Sequence, residues 1–566
     1  MEFPLKTNWE RGVAAALLIL WALLFLPNLR TNPNWYGDEG EWMEQSWTFI
    51  HGRPRVGPIV DDFVFPYPYP PLYMLINGTL LRVFGDDIVV GRALGAVTAL
   101  AAAALLFWVG TRLRDKDFGF LCAAAFLVYA EANVNFRWVR SHPMAGTLAL
   151  ASTGFLIRYV QEKRLRDVVW AGLFCSLATA TNYFTYPLIG AVVVTVAVVN
   201  PLAAGTPFRR TISTRLGRVA IAVGTACAYS ALFVLWYCAA HGEGQLMAQV
   251  GRLTSVASNE VRPTFIGEVQ RYIGNVLNLG FKTPTHLNPR TGMAGRDWWL
   301  VIATLGFIWL PVRREKWLRL WMPFWLLVLM YGVFKKLNNV PVFFYPATIF
   351  LPLMALGLAG VLTWAGELCA KGLQSRESKW VPAAIGLLVF FIPSVKGAWG
   401  HFSTRIDQWT QHSVAEAEAA MSYVNQHVAP NDFVMVPKQI YWMAHCERRS
   451  MLTFCARYEG PVNDMPVPVP IPRSEYWFDC RCENAKYLVM ASGVDTATER
   501  PIGIDLIYVS GLKGVPEQVE KIVDAQWKPV YVGGSGEMAL VNVRGHRWPV
   551  AVDGEYLVLE NPHLVK

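Results

Sequence analysis

The segment NWYGDEGEWMEQ (Asn34–Gln45) sets Asp38 beside Glu39 and adds Glu41 and Glu44 within the same seven residues. These carboxylates follow the first long apolar run, residues 12–29, where burying charge is costly. Asp38 with Glu41 three residues later has the form of a capping box, and a helix start favours negative charge. A cap accounts for one or two carboxylates. Four beside a bilayer suggest a second demand: deprotonating a hydroxyl, or binding a divalent cation that neutralises a phosphate. Basic residues, suited to contacts with anions, stand at the ends of other apolar runs, Arg137 and Arg140 in NFRWVRSHP and Lys335 and Lys336 in KKLNN. Each has an alternative as an ordinary snorkelling side chain at the interface.

The elements that must position these groups are membrane helices. The 566 residues are 53% hydrophobic and 16% charged, with a mean hydropathy of +0.28. A soluble chain carries about a quarter charged residues. Apolar runs of spanning length recur before residue 400 and stop after it. We expect about eleven transmembrane helices: residues 12–29, 88–111, 118–132, 142–159, 168–181, 183–199, 218–239, 298–312, 318–334, 344–362 and 380–395. The net charge of +9 lies mostly in short loops between these runs, around Arg112, Arg164, Arg209, Arg313 and Lys371. With the N-terminus cytoplasmic, all five loops fall on the cytoplasmic side, as the positive-inside rule expects. The charge therefore reports topology, and no nucleic-acid module accompanies it. The first run is near spanning length with no A-x-A site after it, so we read it as a retained anchor.

Domain organisation follows. Residues 1–400 form a transmembrane domain with two long outer loops, 32–87 and 241–297. In the first, Trp42, Met43, Trp47 and Ile50 fall at helical spacing opposite Glu41, Glu44, Gln45 and Thr48, which predicts a helix lying in the interface. A proline-rich turn and a second amphipathic helix follow in FPYPYPPLYMLINGTLLRVFG. Residues 401–566 read as a soluble α/β domain outside the membrane. Helices are expected in SVAEAEAAMSYVNQHV and PEQVEKIVDA, and strands in DFVMVP, AKYLVMAS and KPVYVGG…EMALVNV. Cys446, Cys455, Cys480 and Cys482 lie in that domain, where disulfides persist. Their pairing is open, and zinc with His445 is the alternative.

In order and placement, several pieces resemble the GT-C glycosyltransferases, with the protein O-mannosyltransferases and lipid A aminoarabinose transferases the nearest groups. They are the acidic pair after the first span, Pro-Pro-Leu-Tyr before an amphipathic helix, VVGRALGAVTALAAAALLFWVGTRLRD, the tight ATATNYFTYP turn, and KKLNNVPVFFYPATIFLPLMALG. The resemblance covers roughly the first 400 residues. It implies an inverting enzyme that takes a sugar from a polyprenyl phosphate at the outer face of a bacterial inner membrane. The acceptor would be a hydroxyl of a lipid, a glycan or a protein. By position, Asp38 would be the general base and would hold any divalent metal ion, with Glu39 in support. Arg137, Arg140, His142, Lys335, Lys336, Tyr345 and Tyr69 would contact the donor phosphate or sugar.

The chain departs from the family pattern at two places. Relatives carry a second acidic residue between the third and fourth spans, where this chain has His142. An acidic position just before the Pro-Pro turn is also replaced, with Tyr69 nearby and Asp61 and Asp62 upstream. A transporter or lipid flippase is the alternative for a polytopic chain with interfacial aromatics. Such a protein places polar, broken helices near the midplane, whereas polar residues here crowd the outer face.

Overall fold

The computed structural model describes residues 8–35, 37–51, 70–199, 208–241, 348–375, 377–402, 413–449, 484–507, 509–511 and 515–564, with short stretches between 302 and 325. Tyr69, Lys335, Lys336, Tyr345, Asp61, Asp62, Cys455, Cys480, Cys482 and residues 242–297 of the second loop lie outside the described residues, as does the Asp38 side chain. The chain divides into two compact units. One comprises Met1–Asn32, Tyr69–Tyr73 and Arg92–Ser403; the other comprises Pro33–Pro68, Met74–Gly91 and Thr404–Lys566.

In chain order the helices are α1 (Asn8–Phe25), α2 (Gly37–His51), α3 (Leu72–Phe84), α4 (Ile88–Leu113), α5 (Lys116–Leu127), α6 (Ala130–Arg137), α7 (His142–Glu162) and α8 (Leu165–Thr181). There follow α9 (Pro187–Val198), α10 (Phe208–Ala226), α11 (Ala228–His241), α12 (Leu351–Gly372), α13 (Val381–Trp399), α14 (Val414–His427) and α15 (Val515–Asp524).

Among the described residues three helices, Ile88–Leu113, Leu351–Gly372 and Glu377–Trp399, are long and apolar enough to cross a membrane. At 1.5 Å per residue α4 is about 39 Å long, more than a hydrocarbon core requires. Two bent pairs raise the number to five: α5 with α6, at 62°, and Ile212–Ala226 with Ala228–Trp236, at 46°. The α5–α6 break does not strand its backbone. Val128 donates back to Ala124 O at 3.0 Å, and its own carbonyl accepts from Ser394 Oγ of α13 at 2.7 Å. Such repair by a neighbouring helix is what a break at membrane depth needs. The turn from α4 into α5 is equally close. A Cβ on Gly110 would lie 2.7 Å from Gly119 Cα, and one on Gly119 would lie 2.4 Å from Phe107 O, so neither position has room for a side chain.

The basic loops meet at one end of this unit. Arg112 pairs with Glu162. Arg313 reaches Asp115 at 3.0 Å, Arg114 reaches Glu367 at 2.9 Å, and Lys379 lies 3.6 Å from Asp117. Arg218 of α10 donates to Lys163 O at 2.8 Å. All five loops are therefore linked to one another. The pairs are part-exposed, so each contributes little to stability.

Among its described residues the second unit contains two sheets. Its strands are β1 (Phe433–Met435), β2 (Glu447–Arg449), β3 (Tyr487–Ala491), β4 (Gly493–Asp495), β5 (Arg500–Ile502), β6 (Lys528–Val532), β7 (Met538–Val543), β8 (His546–Val552) and β9 (Tyr556–Glu560). They are ordered β2-β1-β3-β9-β6 and β5-β4-β8-β7. The β1 pairings to β2 and β3 are parallel, while β9 is antiparallel to β3 and β6. Leu488, Met490, Leu557 and Leu559 from the first sheet and Trp548 and Val550 from the second form the core. Val515, Val519 and Ile522 of α15 join it at helical spacing. The chain changes sheet at Ser492, whose hydroxyl donates to Pro549 O and accepts from Trp548 Nε1 at 2.8 Å.

The structure corrects the reading of α2. Trp42, Met43, Glu44, Gln45 and Ser46 are all buried, so this helix has no wet stripe through its middle. Glu44, expected on a solvent face, is 3% exposed and paired with Arg448. Helix α3 packs closely on α2. A Cβ on Gly78 would lie 2.2 Å from Ser46 O, and Asn77 Nδ2 donates to Ser46 Oγ at 3.0 Å. The Asn-Gly-Thr sequence at Asn77 is thus buried in the fold and presents no glycosylation acceptor.

Candidate active site

The acidic residues belong to the second unit. Helix α2 begins at Gly37, so Asp38 and Glu39 sit inside its first turn, with neither at the cap position expected for Asp38. The first turn is where a helix best accommodates negative charge. Glu39 is fully buried. Two contacts fix the helix on either side of this turn. Before it, Trp35 meets Trp442 edge to face, with ring centroids 5.6 Å apart and planes at 87°. After it, Glu44 Oε2 accepts from Arg448 Nε at 3.1 Å and also from Arg448 Nη2. Arg448 Nη1 donates to Ala444 O, and Asp86 lies 3.9 Å away. This guanidinium is fully buried and its nitrogens are engaged, which is the condition for a buried charge to be tolerated.

The basic candidates belong to the first unit and cluster around the α6–α7 turn. Arg137 closes α6 and acts as a clamp on the end of α1. It donates to Leu24 O at 2.8 Å and Asn32 O at 3.0 Å, with its guanidinium carbon 5.3 Å from the centre of the Phe402 ring. Arg92 of α4, which the sequence reading passed over, adds a bond to Leu29 O at 2.8 Å. Its signal was an arginine inside the apolar run VVGRALG.

Arg140 and His142 flank Ser141 in the turn itself, and all three are buried. The Arg140 guanidinium lies over the Trp138 ring at 4.6 Å, a cation–π arrangement. The His142 ring is 6.0 Å from that of Phe184. Phe184 sits in the 3₁₀ turn Tyr183–Thr185 between α8 and α9. That turn is the tight hairpin expected from the sequence, and Asn182 at its start donates to Ser141 Oγ at 2.9 Å.

A further polar group was not legible in sequence. Asn133, in the middle of α6, is fully buried, and neither atom of its amide finds a hydrogen-bond partner among the described residues. Its neighbour Asn135 is satisfied by Glu131 O at 2.8 Å and Glu131 Oε2 at 3.3 Å. An unsatisfied buried amide costs about 1–3 kcal/mol, and such groups call for an explanation in function or in bound water. For a metal, no group of three His, Cys, Asp or Glu side chains is gathered among the described residues.

No protein-family model matches the chain, and no curated protein sequence matches it. Solved structures do. The chain is similar to ArnT from Cupriavidus metallidurans bound to undecaprenyl phosphate, with 13% identity, a TM-score of 0.55 and 98% of each chain covered. The apo state of that protein gives 0.56 at the same identity and coverage. The Archaeoglobus fulgidus oligosaccharyltransferase, at 12% identity and a TM-score of 0.49, covers 87% of this chain and 70% of its own. The chain has the fold of the GT-C membrane glycosyltransferases that its sequence resembles.

Proposed function

We propose that the chain is an inverting glycosyltransferase that moves a sugar from a polyprenyl phosphate to an acceptor hydroxyl at the outer face of a bacterial inner membrane. The observation that carries this reading is the acidic first turn of α2, which directly follows the first apolar helix in a GT-C fold. In the proposed step the acceptor oxygen attacks the anomeric carbon while the bond from that carbon to the phosphate oxygen breaks. The hydroxyl proton passes to Asp38, and the phosphate leaves from the opposite face with its lipid. Glu39 supports Asp38. Attack and departure on opposite faces invert the anomeric centre, through an oxocarbenium-like transition state.

The departing phosphate needs fixed positive charge. We assign that role to Arg140, with His142 offering a donor to phosphate or sugar, and with Lys335, Lys336, Tyr345 and Tyr69 as further contacts. Arg137 is committed to two backbone carbonyls, Leu24 O in the last turn of α1 and Asn32 O beyond it, so its part is to hold the turn. In this reading about eleven spans place the N-terminus and the basic loops in the cytoplasm, with residues 401–566 outside. The residue types leave the choice between a hexosyl and a pentosyl donor to experiment. The steps above are written without a metal, and a divalent ion, if one is used, would be held by Asp38. Transfer that stops in chelator and returns with a divalent ion would reassign Asp38 to that ion.

The test is mass spectrometry of lipid and glycan fractions from a deletion strain. One sugar should be missing, naming donor and acceptor together. Wild-type chain should restore it, and Asp38→Asn should not. An Asp38→Asn protein that restores the sugar sinks the proposal.

A further inference from the structure

The segment that holds the acidic turn in place comes from the far end of the chain. Trp442 and Arg448 lie in one short stretch of the C-terminal α/β region, at the 3₁₀ turns Lys438–Met443 and at β2. Their partners Trp35 and Glu44 bracket Asp38 and Glu39, three residues before the first and five after the second. The 3₁₀ segment also packs against α2. A helix of fifteen residues has little stability alone, so its first turn is placed by what it docks against.

From this we infer that the C-terminal region is a working part of the enzyme: through Arg448 and Trp442 it sets the position of the Asp38–Glu39 turn. Arg448 is a positioning residue and touches neither donor nor acceptor. The inference rests on the proposed function for its chemistry and on the Glu44–Arg448 and Trp35–Trp442 contacts for its geometry. The chemistry of the ion pair sharpens it. Removing the guanidinium leaves the Glu44 carboxylate buried and uncompensated, which favours undocking of the helix, whereas replacing both partners with apolar side chains removes that penalty.

The experiment uses the full-length protein in lipid nanodiscs, with amide hydrogen exchange read by mass spectrometry. In Arg448→Met, exchange across residues 37–51 should quicken at least tenfold, with β3 and β9 unchanged. In the double variant Glu44→Leu/Arg448→Met the protection of 37–51 should return to within threefold of wild type. In the deletion strain the transferred sugar should fall at least tenfold with Arg448→Met and recover at least partly with the double variant. A merely structural role would loosen β3 and β9 together with α2. That result overturns the inference, as does an α2 unmoved in Arg448→Met, or full sugar transfer with α2 released. Trp442→Leu, which introduces no unpaired charge, should quicken the same amides, and no change there also counts against it. Activity in Asp38→Asn would remove the proposed function while leaving the exchange result standing, so the two failures are separable.

Discussion

Asn182 and Ser141 are joined side chain to side chain at 2.9 Å, both buried, across 41 residues of sequence. The Asn182 amide is used twice, since its Oδ1 accepts from Phe184 N at 3.0 Å. One residue therefore shapes the α8–α9 turn and fixes the α6–α7 turn that carries Arg140 and His142. Asn182→Ala should remove both bonds and strand the Ser141 hydroxyl, at about 1–3 kcal/mol. The expected signature is a raised KM for the lipid-linked donor with a smaller change in kcat, measured on purified protein once the donor is named. An unchanged KM would separate this turn from donor binding.

Arg137 should behave as a structural residue. Its bonds to Leu24 O and Asn32 O are charge-assisted and buried, and each such bond contributes about 1.5–3 kcal/mol. Arg137→Met should lower thermal stability in detergent markedly. Arg137→Lys should restore little, because an ammonium cannot reproduce the planar fork that reaches two carbonyls. Fluorescence-detected size exclusion after heating reads both variants. An Arg137→Met protein as stable as wild type but inactive would return this residue to the donor site.

These contacts show where sequence reading succeeds and where it stops. The apolar runs marked α4, α5, α12 and α13 because membrane helices must be apolar over their whole length. The basic loops foretold which helix ends lie together. In the second unit α14, α15, β1 and β3 carry clear periodicity. Strand β8 was missed because Pro549 interrupts its run, although the structure pairs it with Leu540 in an antiparallel ladder. Glu44 was misplaced because a helical stripe predicts one wet face, and α2 has protein around its middle. Its partner Arg448 is 404 residues away, a pairing that no local pattern encodes.

Asn133 offers a sharper test of function against stability. A buried amide without partners is a burden on the fold, so Asn133→Leu should leave stability unchanged or raise it by about 1 kcal/mol. If the amide exists to meet a sugar hydroxyl, the same variant should lose transfer at least tenfold. Stability gained at the expense of activity is the usual mark of a site residue. Thermal denaturation and the sugar assay on one preparation decide it, and retained transfer would assign Asn133 to bound water alone.

The second unit carries its own pH dependence in Asp505. This carboxyl is buried and accepts from Ala491 N at 2.7 Å. Burial pushes its pKa up to about 7, the Glu555 charge adds to the rise, and the Ala491 amide opposes it. The sign follows from proton linkage. Between the ordinary carboxylate value of about 4 and the folded value near 7, the folded state holds a proton that the unfolded state has released. Stability is therefore greatest below about pH 4, as far as this group is concerned, falls as pH rises to about 7, and is flat above that. The full loss is on the order of 4 kcal/mol. Asp505→Asn keeps an acceptor for Ala491 N and removes the titration, so it should stabilise the second unit at pH 8 and be nearly neutral at pH 4. Pulse proteolysis in urea on the full-length protein, scored by cleavage in the C-terminal region, measures this at both values. Equal effects at pH 4 and pH 8 would show that the Asp505 carboxyl titrates alike in the folded and unfolded states, and would overturn the raised pKa.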